Sequence, residues 1–555
     1  METKKRILIG TEFFEKLIED NYFYIDKTLF IKELIDKKGE VSLFTRPRRF
    51  GKTLALTTLQ CFFDIQQKRK DLFDGLMIME YHEIIERYQN KYPLVFITLK
   101  DVVSSRYAEA IVDISSLIEE IFQNNYYLYE SGKLNEHTKK RFDNYCSGDV
   151  SEANLSKSLK FFSQCLYTYH QKKVIILIDE YDTPINNALE EGYYPQMIKF
   201  MRGFLGSMFK SNPYLEFGVL TGVQRVAKES LFSSFNNPKI NGIMDEDFLT
   251  CFGFTETEVR EACEIYTPDV KYDEVKKWYN GYRFGDQDIY NPWSITRFLD
   301  SNRFDNYWVH TGGLSQLKNI FVRGSDVLKD KMADLLLDVP ILIEYTDEIV
   351  YPVIYDDENA FWSMLLNAGY IKPCLGATLD NLNVELVNNE VRKSFARCIR
   401  EWFHETKTDT PDTIREFVDD LLNGKIENVR DTLNNELLNN PSCHDFKAEN
   451  SYHMFLFGIL LTTAKEYTIV SNAESGKGRA DLMIKPLDKA KPAIILELKH
   501  IKRLPKNTTP TDLVIEGMQQ IEDKKYAYSL KNEGYNVIYA YSICFHQKNC
   551  EMEMR

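Results

Sequence analysis

The stretch VSLFTRPRRFGKTLALTT, residues 41–58, decides the fold of the first half of the chain. Its apolar start predicts a short strand, a basic turn follows, and Gly51-Lys52-Thr53 begins a predicted helix. Gly51 lets the backbone approach a phosphate closely, and N–H groups at a helix N-terminus point toward anionic oxygens. We therefore expect Lys52 to reach the β- and γ-phosphates of ATP, and the Thr53 hydroxyl to bind Mg²⁺.

The turn departs from the general phosphate-binding pattern G-x-x-x-x-G-K-[ST], because Arg46 occupies the position of the first glycine. Arg48 and Arg49 add further positive charge, and Pro47 stiffens the turn. We expect Arg46 and Arg49 to belong to the nucleotide-binding set. Gly-Lys-Thr alone also occurs in basic turns that simply begin a helix, so a second element must decide between the two interpretations.

That second element is KKVIILIDEYDTP, residues 172–184. Five consecutive aliphatic residues predict a buried strand, and they place Asp179 and Glu180 at its carboxyl end, the ligand-binding edge of a parallel sheet. We expect Asp179 to hold Mg²⁺ and Glu180 to polarise the attacking water. The alternative is a buried strand followed by an acidic helix cap. The pairing with Gly51-Lys52-Thr53 favours a nucleotide-binding fold.

Two more apolar runs predict strands of the same sheet, residues 93–102 and 215–225. The second ends at Thr221-Gly222. In ATPases with an additional strand between the phosphate-loop strand and the acidic strand, that strand ends in a polar residue that senses the γ-phosphate. Thr221 fits this role and Arg225 could reach the phosphates. A strand-terminal turn and a surface arginine explain the same residues equally well.

A second group of candidate residues lies in the last 110 or so residues of the chain. Asp481 begins a predicted strand, and Glu497-Leu498-Lys499 lies on the next one, where positions 497 and 499 point to the same face. Asp481, Glu497 and the Leu498 carbonyl would suit Mg²⁺, and Lys499 would orient or activate the attacking water. An ordinary surface ion pair between Lys499 and Glu497 is the alternative.

The predicted helices on either side of these strands carry three further candidates. Glu449, in the predicted helix 447–464, could be another metal ligand or support one. Gln520 and Lys524 lie in the predicted helix 512–530, and both could contact a phosphodiester of nucleic acid.

Length and composition limit the remaining possibilities. A chain of 555 residues is too long for one core. Its net charge of −14 argues against a generally basic protein that coats DNA. We find no signal peptide and no apolar stretch that would span a membrane, and the scattered cysteines favour reduced thiols in the cytoplasm.

The domain organisation that we predict has four parts. They are an α/β nucleotide-binding domain with a parallel sheet (1–230), a helical lid (231–330), a mainly helical connector of unknown role (331–442) and a C-terminal α/β nuclease-like domain (443–555).

The motifs together resemble two known families. YIDKTLFI, FTRPRRFGKT, ILIDEYD and LTGVQRVAKESLFS resemble the AAA-ATPase-like family of P-loop NTPases, in which arginine is usual at the position of Arg46. ENSYHMFLFGIL, GKGRADLMI, IILELK and QQIEDKKYA resemble the branch of the PD-(D/E)XK nuclease superfamily that is often fused to that ATPase, with a restriction-endonuclease-like fold.

The resemblance implies a bacterial protein in which an ATP-binding module is joined to a Mg²⁺-dependent nuclease-like domain that acts on DNA, with RNA not excluded. A role in defence or mobile-element biology would suit this pair of modules. Two other hypotheses stay open: an ATP-switched signalling or scaffold protein whose last domain binds without cleaving, and an arginine-rich loop that binds nucleotide without hydrolysing it. The sequence is compatible with a monomer and with a homo-oligomer.

Overall fold

The computed structural model describes most of the chain, and two compact units are defined within it. The first consists of Met1–Asp305 and Glu344–Lys372, and the second of Asn306–Ile343 and Pro373–Arg555. The described residues are 4–67, 69–226, 238–308, 326–336, 339–346, 357–395, 411–439, 452–453, 456, 460, 467–475, 478–501, 508–546 and 549–555.

The described strands and helices are as follows. The strands are β1 (Val41–Thr45), β2 (Leu94–Thr98), β3 (Val174–Asp179), β4 (Leu215–Gly222), β5 (Lys239–Asn241), β6 (Phe254–Thr255), β7 (Tyr282–Phe284), β8 (Gln287–Tyr290), β9 (Ile341–Ile343), β10 (Ile371–Pro373), β11 (Leu382–Leu386), β12 (Tyr467–Ser475), β13 (Gly478–Pro486), β14 (Ala493–His500), β15 (Ile538–His546) and β16 (Asn549–Met554). The helices are α1 (Phe14–Glu19), α2 (Leu29–Lys37), α3 (Lys52–Phe63), α4 (His82–Tyr88), α5 (Tyr107–Asn124), α6 (Tyr127–Glu130), α7 (Glu136–Cys146), α8 (Glu152–Leu155), α9 (Ser158–His170), α10 (Thr183–Glu190), α11 (Tyr194–Phe209), α12 (Glu256–Tyr266), α13 (Tyr272–Tyr279), α14 (Pro292–Ser301), α15 (Asp326–Leu336), α16 (Glu358–Ala368), α17 (Pro411–Leu422), α18 (Ile426–Asn439), α19 (Pro510–Lys524) and α20 (Ala527–Asn532).

A parallel sheet forms the centre of the first unit. Its described strands follow the order β2-β3-β4-β1-β5, and every neighbouring pair is parallel. Alternate residues of β3 enter different cores: Val174, Ile176 and Ile178 pack on one face, and Ile175 and Leu177 on the other. Because both faces are covered, the strand is a continuous apolar run, as the sequence predicted.

The order of the strands brings three predicted motifs to one edge of this sheet. The phosphate loop follows β1, the acidic pair follows or ends β3, and Thr221 lies at the end of β4. Since β4 lies between β1 and β3 and all three are parallel, their carboxyl ends meet at that edge. The predicted α/β fold with an additional strand is confirmed here.

The described part of residues 238–305 contains helices and a small antiparallel sheet in the order β6-β8-β7. Thr255 and Glu258 form a capping box at the start of α12. The prediction for this region was helical, and it did not include the three strands. Strands of two to four residues are too short to produce a recognisable alternation of apolar and polar side chains.

The second unit contains a mixed sheet in the order β12-β13-β14-β15-β16. β12, β13 and β14 are antiparallel neighbours, β14 and β15 are parallel, and β16 pairs antiparallel with β15. Helix α19 packs closely on the sheet at Gly517. A Cβ atom at this position would lie only 2.2 Å from Ser542 Oγ, so the close approach requires glycine. The predicted C-terminal α/β fold is confirmed.

Strands also occur in the region predicted to be a mainly helical connector. β9 and β11 of the second unit pair antiparallel there. In the part of the chain that the structure describes, none of the helices has the length and apolar character needed to cross a membrane.

Candidate functional site

The phosphate loop begins where β1 ends and is closed by the start of α3. Gly51 precedes the helix in a left-handed conformation with φ 79°, which glycine adopts without steric cost. A Cβ atom at this position would meet nothing within 4 Å. The backbone of the loop therefore faces open space at the helix N-terminus, where an anion is favoured.

Lys52 is buried under this loop. Its Nζ donates hydrogen bonds to the carbonyl oxygens of Arg46 at 3.0 Å and Pro47 at 2.9 Å. Burial lowers the pKa of Lys52, and the neighbouring carboxylates Glu180 and Asp179 oppose that shift. The ammonium group is thus held against two carbonyl oxygens of the loop, and phosphate oxygens could take the place of these acceptors.

Asp179 connects three elements of the sheet edge. Its Oδ2 accepts a hydrogen bond from Thr53 Oγ1 at 2.6 Å, and its Oδ1 accepts one from Thr221 Oγ1 at 2.6 Å. The carboxyl group is buried, and burial raises its pKa, while the two threonine hydroxyls favour the charged form and oppose the shift. A carboxylate and a hydroxyl in contact form a hard-oxygen donor set that suits Mg²⁺.

Glu180 follows Asp179 with a backbone conformation that is unusual for a residue with a side chain. Its φ is 50°, and its Oε2 accepts a hydrogen bond from Thr183 Oγ1 at 3.1 Å. Non-glycine residues with positive φ are strained by about 1–3 kcal/mol and concentrate at functional sites. The proposed role of Glu180 as the base that polarises water stays a prediction.

Arg46 has a different environment from the one we expected. Its side chain is fully buried, and its guanidinium donates to the carbonyl oxygens of Thr45 at 2.9 Å, Asn241 at 2.7 Å and Phe248 at 3.2 Å. Burial lowers its pKa to about 10. The guanidinium thus anchors the start of the loop to the end of β5 and to the segment that follows it. That geometry does not favour the predicted contact with nucleotide phosphates.

The other two predicted arginines differ in exposure. Arg49 is exposed, has φ 67°, and its guanidinium carbon lies 4.5 Å from the centroid of the Trp293 ring, a cation–π distance. Arg225 lies half-buried in the segment after β4. Both therefore stay predicted members of the nucleotide-binding set.

Asp182 is a residue of this edge that the sequence analysis did not select. It is buried, and its Oδ2 accepts hydrogen bonds from the backbone N–H groups of Val223 at 3.0 Å and Gln224 at 2.9 Å. The Tyr181 hydroxyl donates to the Gln224 carbonyl at 2.7 Å. The third acidic residue of the sequence DEYD was the signal that could have identified Asp182.

The second group of candidates lies in the C-terminal sheet. Asp481 Oδ2 accepts a hydrogen bond from the Leu498 N–H at 2.7 Å, which joins β13 to β14. Lys499 Nζ donates to Glu497 Oε1 at 3.2 Å and to Gln520 Oε1 at 2.8 Å. Glu497 is buried, with 1% of its surface exposed. Hydrogen bonds thus connect Lys499 to Glu497 and Gln520, and the catalytic and nucleic-acid-binding roles of these residues stay predictions.

Two predicted residues remain, Lys524 and Glu449. Lys524 is exposed near the end of α19. Glu449 lies outside the described residues. Among the residues that are described, no group of three or more His, Cys, Asp or Glu side chains is arranged to hold a metal ion. Asp481, Glu497 and the Leu498 carbonyl nevertheless fit Mg²⁺ in their chemistry, since all are oxygen donors.

His453 is a further residue of this region that the sequence did not predict. This histidine is buried and hydrogen-bonded to the backbone of Asp481, and burial lowers its pKa to about 4. It is therefore neutral near pH 7 and supports the strand that carries Asp481. A histidine within ENSYHMFLFGIL gave no spacing signal of its own, since its partner is a backbone group.

The parallel sheet and its loop define the first unit as a nucleotide-binding fold of the P-loop type. Residues 8–232 match the family described as predicted AAA-ATPase, and residues 447–554 match the PD-(D/E)XK nuclease superfamily. The chain therefore carries an AAA-ATPase-like domain followed by a PD-(D/E)XK domain, which confirms the resemblance of both sets of motifs.

A curated relative is described as an uncharacterized protein in the vnfD 5′ region of Azotobacter chroococcum mcd 1. It is 29% identical over 316 residues, which cover 56% of this chain and 55% of the relative. The chain thus matches about half the length of that relative.

Proposed function

We propose that this protein binds and hydrolyses ATP, and that it couples the nucleotide to a Mg²⁺-dependent nuclease-like domain acting on DNA phosphodiesters. The observation that carries the proposal is the Asp179 carboxylate, bonded at 2.6 Å to both Thr53 and Thr221. Thr53 comes from the phosphate loop, Asp179 from the acidic strand and Thr221 from the strand between them. In P-loop ATPases these motifs contact the metal and the phosphates of the nucleotide. Defence or mobile-element biology is the setting we propose for this activity.

In the first site, each residue has a distinct task. Lys52 exchanges the carbonyls of Arg46 and Pro47 for phosphate oxygens. Thr53 and Asp179 would hold Mg²⁺, which would neutralise charge on the β- and γ-phosphates. Glu180 accepts the proton of the attacking water, and Thr221 orients the Asp179 carboxylate.

In the second site, the oxygen donors come from neighbouring strands. Asp481, Glu497 and the Leu498 carbonyl would hold Mg²⁺, which lowers the pKa of a bound water. Lys499 would orient the attacking water beside the scissile phosphate, and Gln520 fixes the lysine through its 2.8 Å hydrogen bond. Lys524, exposed on the same helix, would contact a neighbouring phosphate of the nucleic acid.

Cleavage of DNA by the full chain with Mg²⁺ tests the nuclease function. We expect Asp481→Ala to abolish cleavage, because the metal loses a carboxylate ligand. The matched control is Asp523→Ala, an exposed acidic residue on α19 that should cleave like the wild type. Cleavage that persists in Asp481→Ala would contradict the proposal.

ATP turnover tests the first site separately. Glu180→Gln should bind ATP and release no phosphate, whereas the exposed control Glu191→Gln should turn over normally. If the wild type binds ATP without releasing phosphate, the loop only binds nucleotide. Equal phosphate release by wild type and Glu180→Gln would remove the proposed base.

A second candidate function is an ATP-switched scaffold whose last domain binds nucleic acid without cleaving it. The net charge of −14 favours it, since an acidic chain gains little overall attraction to the phosphates of nucleic acid. ATP turnover together with no cleavage of DNA or RNA by the wild type would support this function over the first.

A further inference from the structure

Helix α16 belongs to the first unit, although the chain reaches it from the second. The chain leaves the first unit after Asp305, returns at Glu344 and leaves again after Lys372. Residues 344–372 thus belong to the first unit, although in the sequence they lie between two stretches of the second. Along the chain, both ends of this segment continue into the second unit.

The C-terminal end of α16 contacts the phosphate loop. Gly369 ends the helix with φ 82°, and a Cβ atom there would lie 2.9 Å from Pro47. Pro47 is also one of the two residues whose carbonyl oxygen holds Lys52. When Lys52 turns to the phosphates of a nucleotide, the hydrogen bond to Pro47 is lost at the residue that packs against Gly369.

The same helix is hydrogen-bonded to the segment that follows β4. Gln224 Nε2 donates a hydrogen bond to the Met364 carbonyl at 3.0 Å. The backbone N–H of Gln224 is held by Asp182, two residues beyond Glu180. Gln224 therefore connects the acidic end of β3 to α16.

The side-chain amide of Gln224 uses only part of its hydrogen-bonding capacity in this arrangement. Its side chain is buried, and among the described residues its Oε1 has no hydrogen-bond partner. A buried polar group without a partner destabilises the arrangement that holds it. A second position of this segment, in which the amide oxygen gains a partner, would remove that destabilisation, and two such positions are what a switch requires.

We infer that α16 is the relay through which nucleotide at the phosphate loop acts on the second unit, with Gln224 and the Gly369–Pro47 contact as its two inputs. This inference rests on the proposed function, because it needs nucleotide to bind at Lys52. It assigns a regulatory role to a helix that lies outside both matched domains, 8–232 and 447–554.

Amide hydrogen exchange of the full chain tests the relay. With Mg²⁺ and a non-hydrolysable ATP analogue, exchange in residues 358–370 of the wild type should change by about 5-fold or more, the lower end of typical coupling between sites. In Gln224→Met, which keeps the volume and removes the hydrogen bond, this response should fall clearly below that of the wild type while the analogue still binds, because only the Gly369–Pro47 contact remains as an input. Gln287→Met, at an exposed position of β8, should respond like the wild type.

The possible outcomes separate the relay from the function on which it rests. A wild type that does not bind the analogue contradicts the proposed nucleotide site itself. A wild type that binds the analogue without any change in residues 358–370 overturns the relay alone. The relay is also wrong if Gln224→Met keeps the full response.

Discussion

The two candidate sites assemble their carboxylates in opposite ways. Asp179 is bonded to hydroxyls from residues 126 and 42 positions away in the sequence. Asp481 is bonded to an N–H group 17 positions away, and Lys499 pairs with Glu497 two positions away. The first site draws on three parallel strands and their loops, whereas the second lies mainly on two antiparallel neighbours.

This difference indicates how each site depends on the rest of its unit. Parallel strands need long crossover connections, so the first site exists only when the whole sheet has formed. The second site lies on neighbouring strands and needs one helix, α19, to bring Gln520 to Lys499. Changes at the first site should therefore affect both activity and stability, and changes at the second mainly activity.

The largest effect is expected from Lys52→Ala. Loss of this ammonium group should reduce ATP turnover by about 10²–10³-fold, the range seen when one preorganised donor to a developing charge is removed. Cleavage of DNA measured without ATP should persist, because none of the second-site residues changes. The exposed Lys157→Ala is the control.

Equal loss of both activities in Lys52→Ala would contradict the separation of the two sites, provided that the melting temperature of the variant matches that of the wild type. It would mean that the two sites are not chemically separate.

Gln520→Leu should have the next largest effect. Without Gln520, the Lys499 ammonium loses its 2.8 Å acceptor, and cleavage should fall by about 10–100-fold, as for other residues that support metal sites. The neighbouring exposed Gln519→Leu should cleave normally. Unchanged cleavage in Gln520→Leu would assign Lys499 to an ordinary ion pair with Glu497.

Thr221→Val should lower the free energy of unfolding by about 1–3 kcal/mol, the cost of leaving a buried polar group without its partner. Burial already raises the pKa of Asp179 in the folded chain, and loss of the hydroxyl raises it further. A raised pKa means that the folded state holds its proton more tightly, so ionisation costs stability as pH rises through that pKa.

The deficit of Thr221→Val should therefore be larger at about pH 8 than at about pH 4, near the ordinary pKa of aspartate. Urea denaturation at the two pH values measures it. Thr58→Val, which removes a bond to the neutral Leu54 carbonyl, should lose the same stability at both. A pH-independent deficit in Thr221→Val would show that the hydroxyl does not act on the Asp179 charge.

The sequence predicted the sheet edge well, because long apolar runs and the residues at their ends are local features. Residues 174–178 predicted a buried strand, and the parallel order then placed Asp179 beside Thr221. The β13 and β14 pair was predicted for the same reason, since Asp481 and Glu497 lie on adjacent apolar segments.

Hydrogen bonds between a side chain and a backbone group far away in the sequence could not be predicted. The Arg46 guanidinium donates hydrogen bonds to carbonyl oxygens 195 and 202 positions away, and no sequence pattern near Arg46 indicates these contacts. Asp182 and His453 likewise bond to backbone groups, which any residue type provides. The positive φ of Glu180 is a property of the folded turn.

The most direct test of the account is DNA cleavage by the full chain with Mg²⁺, measured with and without ATP in the wild type and in Lys52→Ala. We predict that cleavage requires Mg²⁺, that ATP changes its rate in the wild type, and that Lys52→Ala cleaves at one rate in both conditions. A wild type whose Mg²⁺-dependent cleavage ignores ATP would contradict the claim that the first site governs the second.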